Sequence, residues 1–218
     1  AGNRGTRKSF LSNRLLYLIS VLIWGSTWLA IEFQLGSVAP EVSIVYRYVI
    51  AATLLFAWCL ARGLNMRYSA QDHLRFAAMG LLMFGLNYVF AYRAQVFITS
   101  ALAAIVFSTM LWMNILLSGA VFGTRAGARV LMGALLGILG ILVIFAPQID
   151  DVAITDGILL GSLLAMLGAF SASCGNITSR ALQQRKLPVM QANAWAMLYG
   201  ALITLVIARV QGLEFTFD

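Results

Sequence analysis

The stretch 41–62, EVSIVYRYVIAATLLFAWCLAR, opens on the acid Glu41, closes on the base Arg62 and holds one charge between them, Arg47. A helix rises about 1.5 Å per residue and the hydrocarbon core of a bilayer is about 30 Å thick, so an apolar run of about 20 residues has the length of one crossing. Further stretches of that kind lie at 15–34, 74–96, 100–122, 128–146, 155–178 and 190–210, alongside 41–61. The expected fold class is all-α: a polytopic membrane helix bundle with seven spans present.

The gaps between stretches alternate in sign. Arg4, Arg7, Lys8 and Arg14, then Arg62, Arg67 and Arg75, then Arg125 and Arg129, then Arg180, Arg185 and Lys186 fall on one side. Glu32 and Glu41, then Asp150, Asp151 and Asp156, then Glu214 and Asp218 fall on the other. By the positive-inside rule the N-terminus is cytoplasmic and residue 218 is outside. A hydrophobic fraction of 61% with 11% charged residues is far from a soluble domain, and loop placement accounts for the net charge of +7. The basic strips are separated by membrane-length apolar runs, so they face lipid headgroups and no nucleic acid partner is expected. The first stretch is too long for a cleaved signal and no small-residue cleavage site follows it. Cys59 and Cys174 lie inside apolar stretches and form neither a disulfide framework nor a metal-ligand spacing.

Several reaction classes lack their residues. No Gly-rich loop ends in Gly-Lys, which excludes nucleotide hydrolysis within this chain. There is no His-Glu-x-x-His, no Gly-x-Ser-x-Gly and no pair of intramembrane aspartates. The chain is therefore not expected to be an enzyme, and no cofactor or metal is expected.

The prolines sit at span edges, Pro40 and Pro188 at helix starts and Pro147 just after a helix end. Text around Pro40 faintly echoes text around Pro188, and five spans separate one copy from the next. An odd number turns the second copy over in the membrane, which makes an inverted repeat of the kind secondary transporters use. The organisation expected is a cytoplasmic segment 1–13, a first five-helix repeat 14–147, and the first two helices of a second repeat at 154–218. Three further spans are then missing, as in a fragment. Gly119 with Gly123, Gly133 with Gly137, and Gly157 with Gly161 permit close helix approach, within one subunit or in a homodimer.

Trp24-Gly25 in the first span and Arg47-Tyr48 in the second are similar to the Trp-Gly pair and the Arg-Phe of the EamA group of the drug/metabolite transporter superfamily. Tyr88 to Ala94 and Ser100 to Ala104 resemble its Tyr-x-x-Ala-Leu and Ser-Ala-Ser-x-Ala-Ala. Two departures stand out: Thr109-Met110-Leu111-Trp112 replaces a mid-helix proline, and Gly123-Thr124 replaces a closing Gly-Glu. The first puts a kink in the fourth helix in question, the second a cytoplasmic ion pair. The resemblance implies ten helices in two inverted repeats and movement of small metabolites.

Charge within the hydrocarbon costs about 2.5 to 3.5 kcal/mol near a helix centre, so each instance calls for a reason. Arg47 either faces the bundle interior, held by Glu32 or by helix carbonyls, or snorkels to headgroups; Glu32 and Arg93 are read as interfacial. Trp24, Arg47, Asn87, Tyr88, Tyr92, Ser108, Trp112 and Trp195 are the candidate substrate-binding residues. Tyr88 with Tyr92, Ser108 with Trp112, and Gln191 with Trp195 are four apart and share helix faces. Aromatic faces suit apolar or cationic solutes, and amides fix orientation. His73, beside Asp72, is expected at a solvated helix start. Asn176-Ile177-Thr178 matches a glycosylation acceptor but falls at the cytoplasmic end of its span, out of reach of that chemistry. The function expected is a secondary transporter, an exporter of amino acids, metabolites or amphipathic drugs by alternating access, in a bacterial inner membrane with the lipid bilayer as partner. The alternative is a non-transporting membrane subunit or scaffold.

Overall fold

The computed structural model describes residues 4–34, 38–150 and 155–215, with side chains throughout except at 4–12, 28, 32, 34, 145 and 147–150. Among the described residues the chain forms helical rods and no strand: α1 Arg4–Gln34, α2 Pro40–Ala61, α3 Ala70–Gln95, α4 Ser100–Phe122, α5 Ala128–Asp150, α6 Asp156–Gln184 and α7 Val189–Val210. Six of them are long and apolar enough to cross a bilayer, and the apolar part of α5, Ala128–Ile144, is shorter. Large apolar side chains such as Leu22, Leu54, Leu116 and Val143 point outward on these rods, a surface suited to lipid. The chain is an integral membrane protein.

Local sequence sets the rod ends. Ser69, Thr99 and Thr155 are N-caps, each accepting a hydrogen bond from the backbone N–H three residues on. Pro40 opens α2 where an N–H has no helical partner, and Pro188 caps α7. Gly123 closes α4 at φ 65°, left-handed backbone that a side chain would strain.

Several helices differ from the sequence expectation, α1 among them, which begins at Arg4 and not near 15. α6 runs past 178 to Gln184, because its added turns contain no breaker, Leu182 is buried in the core and Arg180 lies 4.6 Å over the Phe122 ring. α5 runs through Pro147 to Asp150 instead of ending before the proline, a loss of one N–H that a membrane helix tolerates. The α-helical pattern of α4 is interrupted at Thr109 although the proline is absent. There the Ser108 and Thr109 hydroxyls donate to the Ile105 and Val106 carbonyls, each at 2.6 Å, and so compete with the helix's own bonds.

The core lies where α7 packs on α2 and α3, and α6 on α3 and α4. Small residues bring these backbones together. A Cβ on Gly80 would run into the Ala196 carbonyl oxygen, and one on Gly200 would stand 2.8 Å from Phe84 Cβ. At this crossing α3 widens into a π-helical segment, Gly80–Leu86. Gly161, Gly168 and Gly175 recur every seventh residue along α6 and face the Phe97–Ile98 turn, Phe107 and Met83. Gly133 and Gly137 by contrast have nothing within 4 Å, so that pair does not serve packing among the described residues.

Candidate functional site

A cavity of about 360 Å³ opens between α1, α2, α3, α4, α6 and α7. α1 contributes Ile23, Trp24, Thr27 and Ile31; α2 contributes Arg47, Tyr48 and Ala51; α3 contributes Met83, Phe84, Asn87, Tyr88 and Ala91. Phe107 and Met110 of α4, Ala172 and Asn176 of α6 and Met197 of α7 complete the wall. Most of this lining is apolar, and among the described residues Arg47 is its one charged member.

Arg47 sits two turns into α2, which carries its guanidinium inward to an aromatic cluster. The guanidinium lies 4.9 Å from the Tyr88 ring centroid and 5.8 Å from that of Tyr48. Tyr48 in turn meets Tyr88 edge-on at 5.2 Å and Phe84 at 5.1 Å. Among the described residues, the cation is thereby held against the faces of two tyrosine rings. The Glu32 side chain, the partner expected from sequence, lies outside the described residues.

Four expected site residues, Trp24, Arg47, Asn87 and Tyr88, come together on the cavity wall, and Tyr92 stands behind them, 1% exposed. Ser108, Trp112 and Trp195 do not line it. Ser108 bonds back to its own helix, and Trp112 lies half-buried on another part of α4. Trp195 packs at the basic-loop end against His73 at 4.5 Å and Phe56 at 4.9 Å, and donates to the Met66 carbonyl. His73 lies in the first turn of α3, half-buried, with Nδ1 2.9 Å from the Tyr199 hydroxyl. Asn176, expected at a span end, lies inside α6 on the cavity wall and donates to the Asn114 amide oxygen at 3.4 Å.

Sequence reasoning missed one polar cluster entirely. Glu41, 2% exposed, accepts from Arg93 Nε at 2.9 Å and Nη2 at 2.6 Å, and Arg93 also donates to the Gln211 amide oxygen at 3.0 Å. Arg93 is therefore not merely interfacial; it links α2, α3 and the end of α7. The available signal was an acid and a base placed at the same membrane face in consecutive spans.

A family model described as EamA-like transporter family matches residues 12–146. The chain belongs to the EamA-like transporter family. Among similar proteins, the one named uncharacterized transporter YoaV from Bacillus subtilis (strain 168) is 28% identical over 90% of this chain and 66% of its own length. A protein named probable amino-acid metabolite efflux pump from Escherichia coli (strain K12) is 24% identical over 84% of this chain and 59% of its own. The chain thus spans less than two thirds of either relative. A solved structure titled "Crystal structure of protein" superposes with a TM-score of 0.72 at 21% identity, over 94% of this chain and 69% of that one, and so shares the fold.

Proposed function

We propose that the protein is a secondary transporter that exports small organic metabolites or drugs by alternating access through the Arg47 cavity. The observation that carries this reading is a solute-sized space inside a membrane bundle, walled both by α1 to α4 and by α6 and α7. In this reading 14–147 is one five-helix repeat, 154–218 begins its inverted counterpart, and rocking of one against the other exposes the cavity to each face in turn. Trp24, Arg47, Asn87 and Tyr88 contact solute. The basic loops face the cytoplasm of a bacterial cell. The name of the Escherichia coli relative makes amino-acid metabolites the first solutes to try.

The test is solute flux in proteoliposomes containing the full-length gene product. Ala51→Trp, which places an indole in the cavity, should cut flux of every transported solute at least tenfold while the protein stays monodisperse. Undiminished flux through that variant refutes the assignment of the cavity, and absence of flux for amino acids and cationic dyes alike favours a scaffold.

A further inference from the structure

We infer that the cavity selects solutes bearing an oxyanion, a carboxylate above all, on an apolar ring-sized body, and discriminates against organic cations. This rests on the proposed transport function and names the charge of its substrate. Aromatic lining alone suits cations, since ring faces attract them. Here two of those faces, Tyr88 and Tyr48, are already turned to the Arg47 guanidinium, which sets a fixed positive charge beside the remaining rings.

The local balance of charge decides the matter. Among the described side chains, no carboxylate lies within salt-bridge distance of Arg47, and Glu41 on the same helix is committed to Arg93. Among the described side chains that line the cavity there is no acid. The tyrosine rings flank the guanidinium without neutralising it, so its charge projects into a space walled by Ile23, Phe84, Phe107 and Met110, where the low dielectric weakens it little. A planar carboxylate matches the guanidinium fork, and an ammonium meets like-charge repulsion. Also on the cavity wall, the Asn87 side chain donates to the Met83 carbonyl, and its own oxygen has no partner among the described residues. That oxygen can accept from an N–H on the same solute without changing the anion requirement.

The test compares three probes that share a ring and a chain and differ in charge: 3-phenylpropionate, 3-phenylpropanol and 3-phenylpropylamine. Their dissociation constants are measured by calorimetry on the full-length, detergent-solubilised protein, where no membrane potential acts. The expected order is propionate tightest and amine weakest, with at least a tenfold gap between them, the size of one charge-assisted hydrogen bond. Arg47→Gln should shrink that gap below about threefold, and Arg47→Lys should keep its sign. A wild-type protein that prefers the amine, ranks the three alike, or binds none at millimolar concentration overturns the inference, and this ranking decides even if Arg47→Gln fails to fold. Flux of the amine or the alcohol in proteoliposomes would then leave the transporter reading standing while the charge assignment falls.

Discussion

Cutting the Glu41–Arg93 pair from its two ends should give unequal losses of stability. Glu41 is 2% exposed and Arg93 is 45% exposed, and both Arg93 bonds reach the same oxygen, Glu41 Oε1. Arg93→Met leaves a buried carboxylate with no cation. Stranding one member of a buried pair costs about 3 to 5 kcal/mol, and the positive N-terminus of α2, where Glu41 sits in the first turn, returns about 0.5 to 1 of that. The expected loss is about 3 kcal/mol. Glu41→Gln keeps an oxygen acceptor and leaves Arg93 in contact with water and Gln211, so the loss is about 1 kcal/mol, the charge-assisted part of the bond. The double variant strands no charge and should lose about 2 kcal/mol, less than the sum of its parts. Unfolding midpoints in mixed micelles titrated with dodecyl sulfate measure all three. Equal losses from the two single variants, or strict additivity, would refute the claim that the burial of Glu41 sets the energetics.

Gly80→Ala should destabilise the fold by at least about 2 kcal/mol in the same assay, because its Cβ would meet Ala196 backbone that cannot give way, whereas Gly133→Ala, with open space around it, should stabilise by up to about 1 kcal/mol through helix propensity. Tyr199→Phe removes the partner of His73 and should cost about 1 kcal/mol, with the Trp195 emission shifting as its neighbouring ring loses its anchor. In a background with Cys59 and Cys174 replaced, single cysteines at Arg125 and Asp156 should react with impermeant maleimides from opposite sides of sealed cells; labelling from the same side would refute the alternation of loop charge on which the topology rests.

The bundle was legible because length and charge are one-dimensional signals. Pro40, Arg62, Thr99 and Pro188 mark helix ends by their own chemistry, whatever packs beside them. Inward-facing residues are a different matter, since the face a helix turns to the core depends on where its neighbours cross. Ser108 and Trp112 stand off the cavity, which α4 lines with Phe107 and Met110. Arg47, Asn87 and Tyr88 could be found because polar groups within an apolar run need a reason, and the cavity supplies one. Glu41 escaped the same logic: at a span edge it reads as an interfacial acid, and only the approach of Arg93 and Gln211, far away in sequence, shows it to be buried. Likewise Gly80 and Gly200 carry no local mark of their meeting.

That meeting places the proposed motion. α3 and α7 touch backbone to backbone at Gly80 and Gly200, and the His73–Tyr199 bond lies beside this point, so the two helices are tied closely toward the basic-loop end. From Gly80 to Arg93 the helix extends about 20 Å toward the opposite face, at about 1.5 Å per residue. A rotation of about 10° about the glycine contact would move the Arg93 end by about 3.5 Å, enough to break its 3.0 Å bond to Gln211. The Glu41–Arg93 pair joins two helices on the same side of that pivot and would travel intact. Loss of one such hydrogen bond costs about 1 to 2 kcal/mol, small enough for solute binding to drive. A bis-methanethiosulfonate crosslink between cysteines at 93 and 211 should therefore arrest flux, with recovery on reduction, whereas one between 41 and 93 should leave exchange running. The opposite outcome would move the hinge away from Gly80.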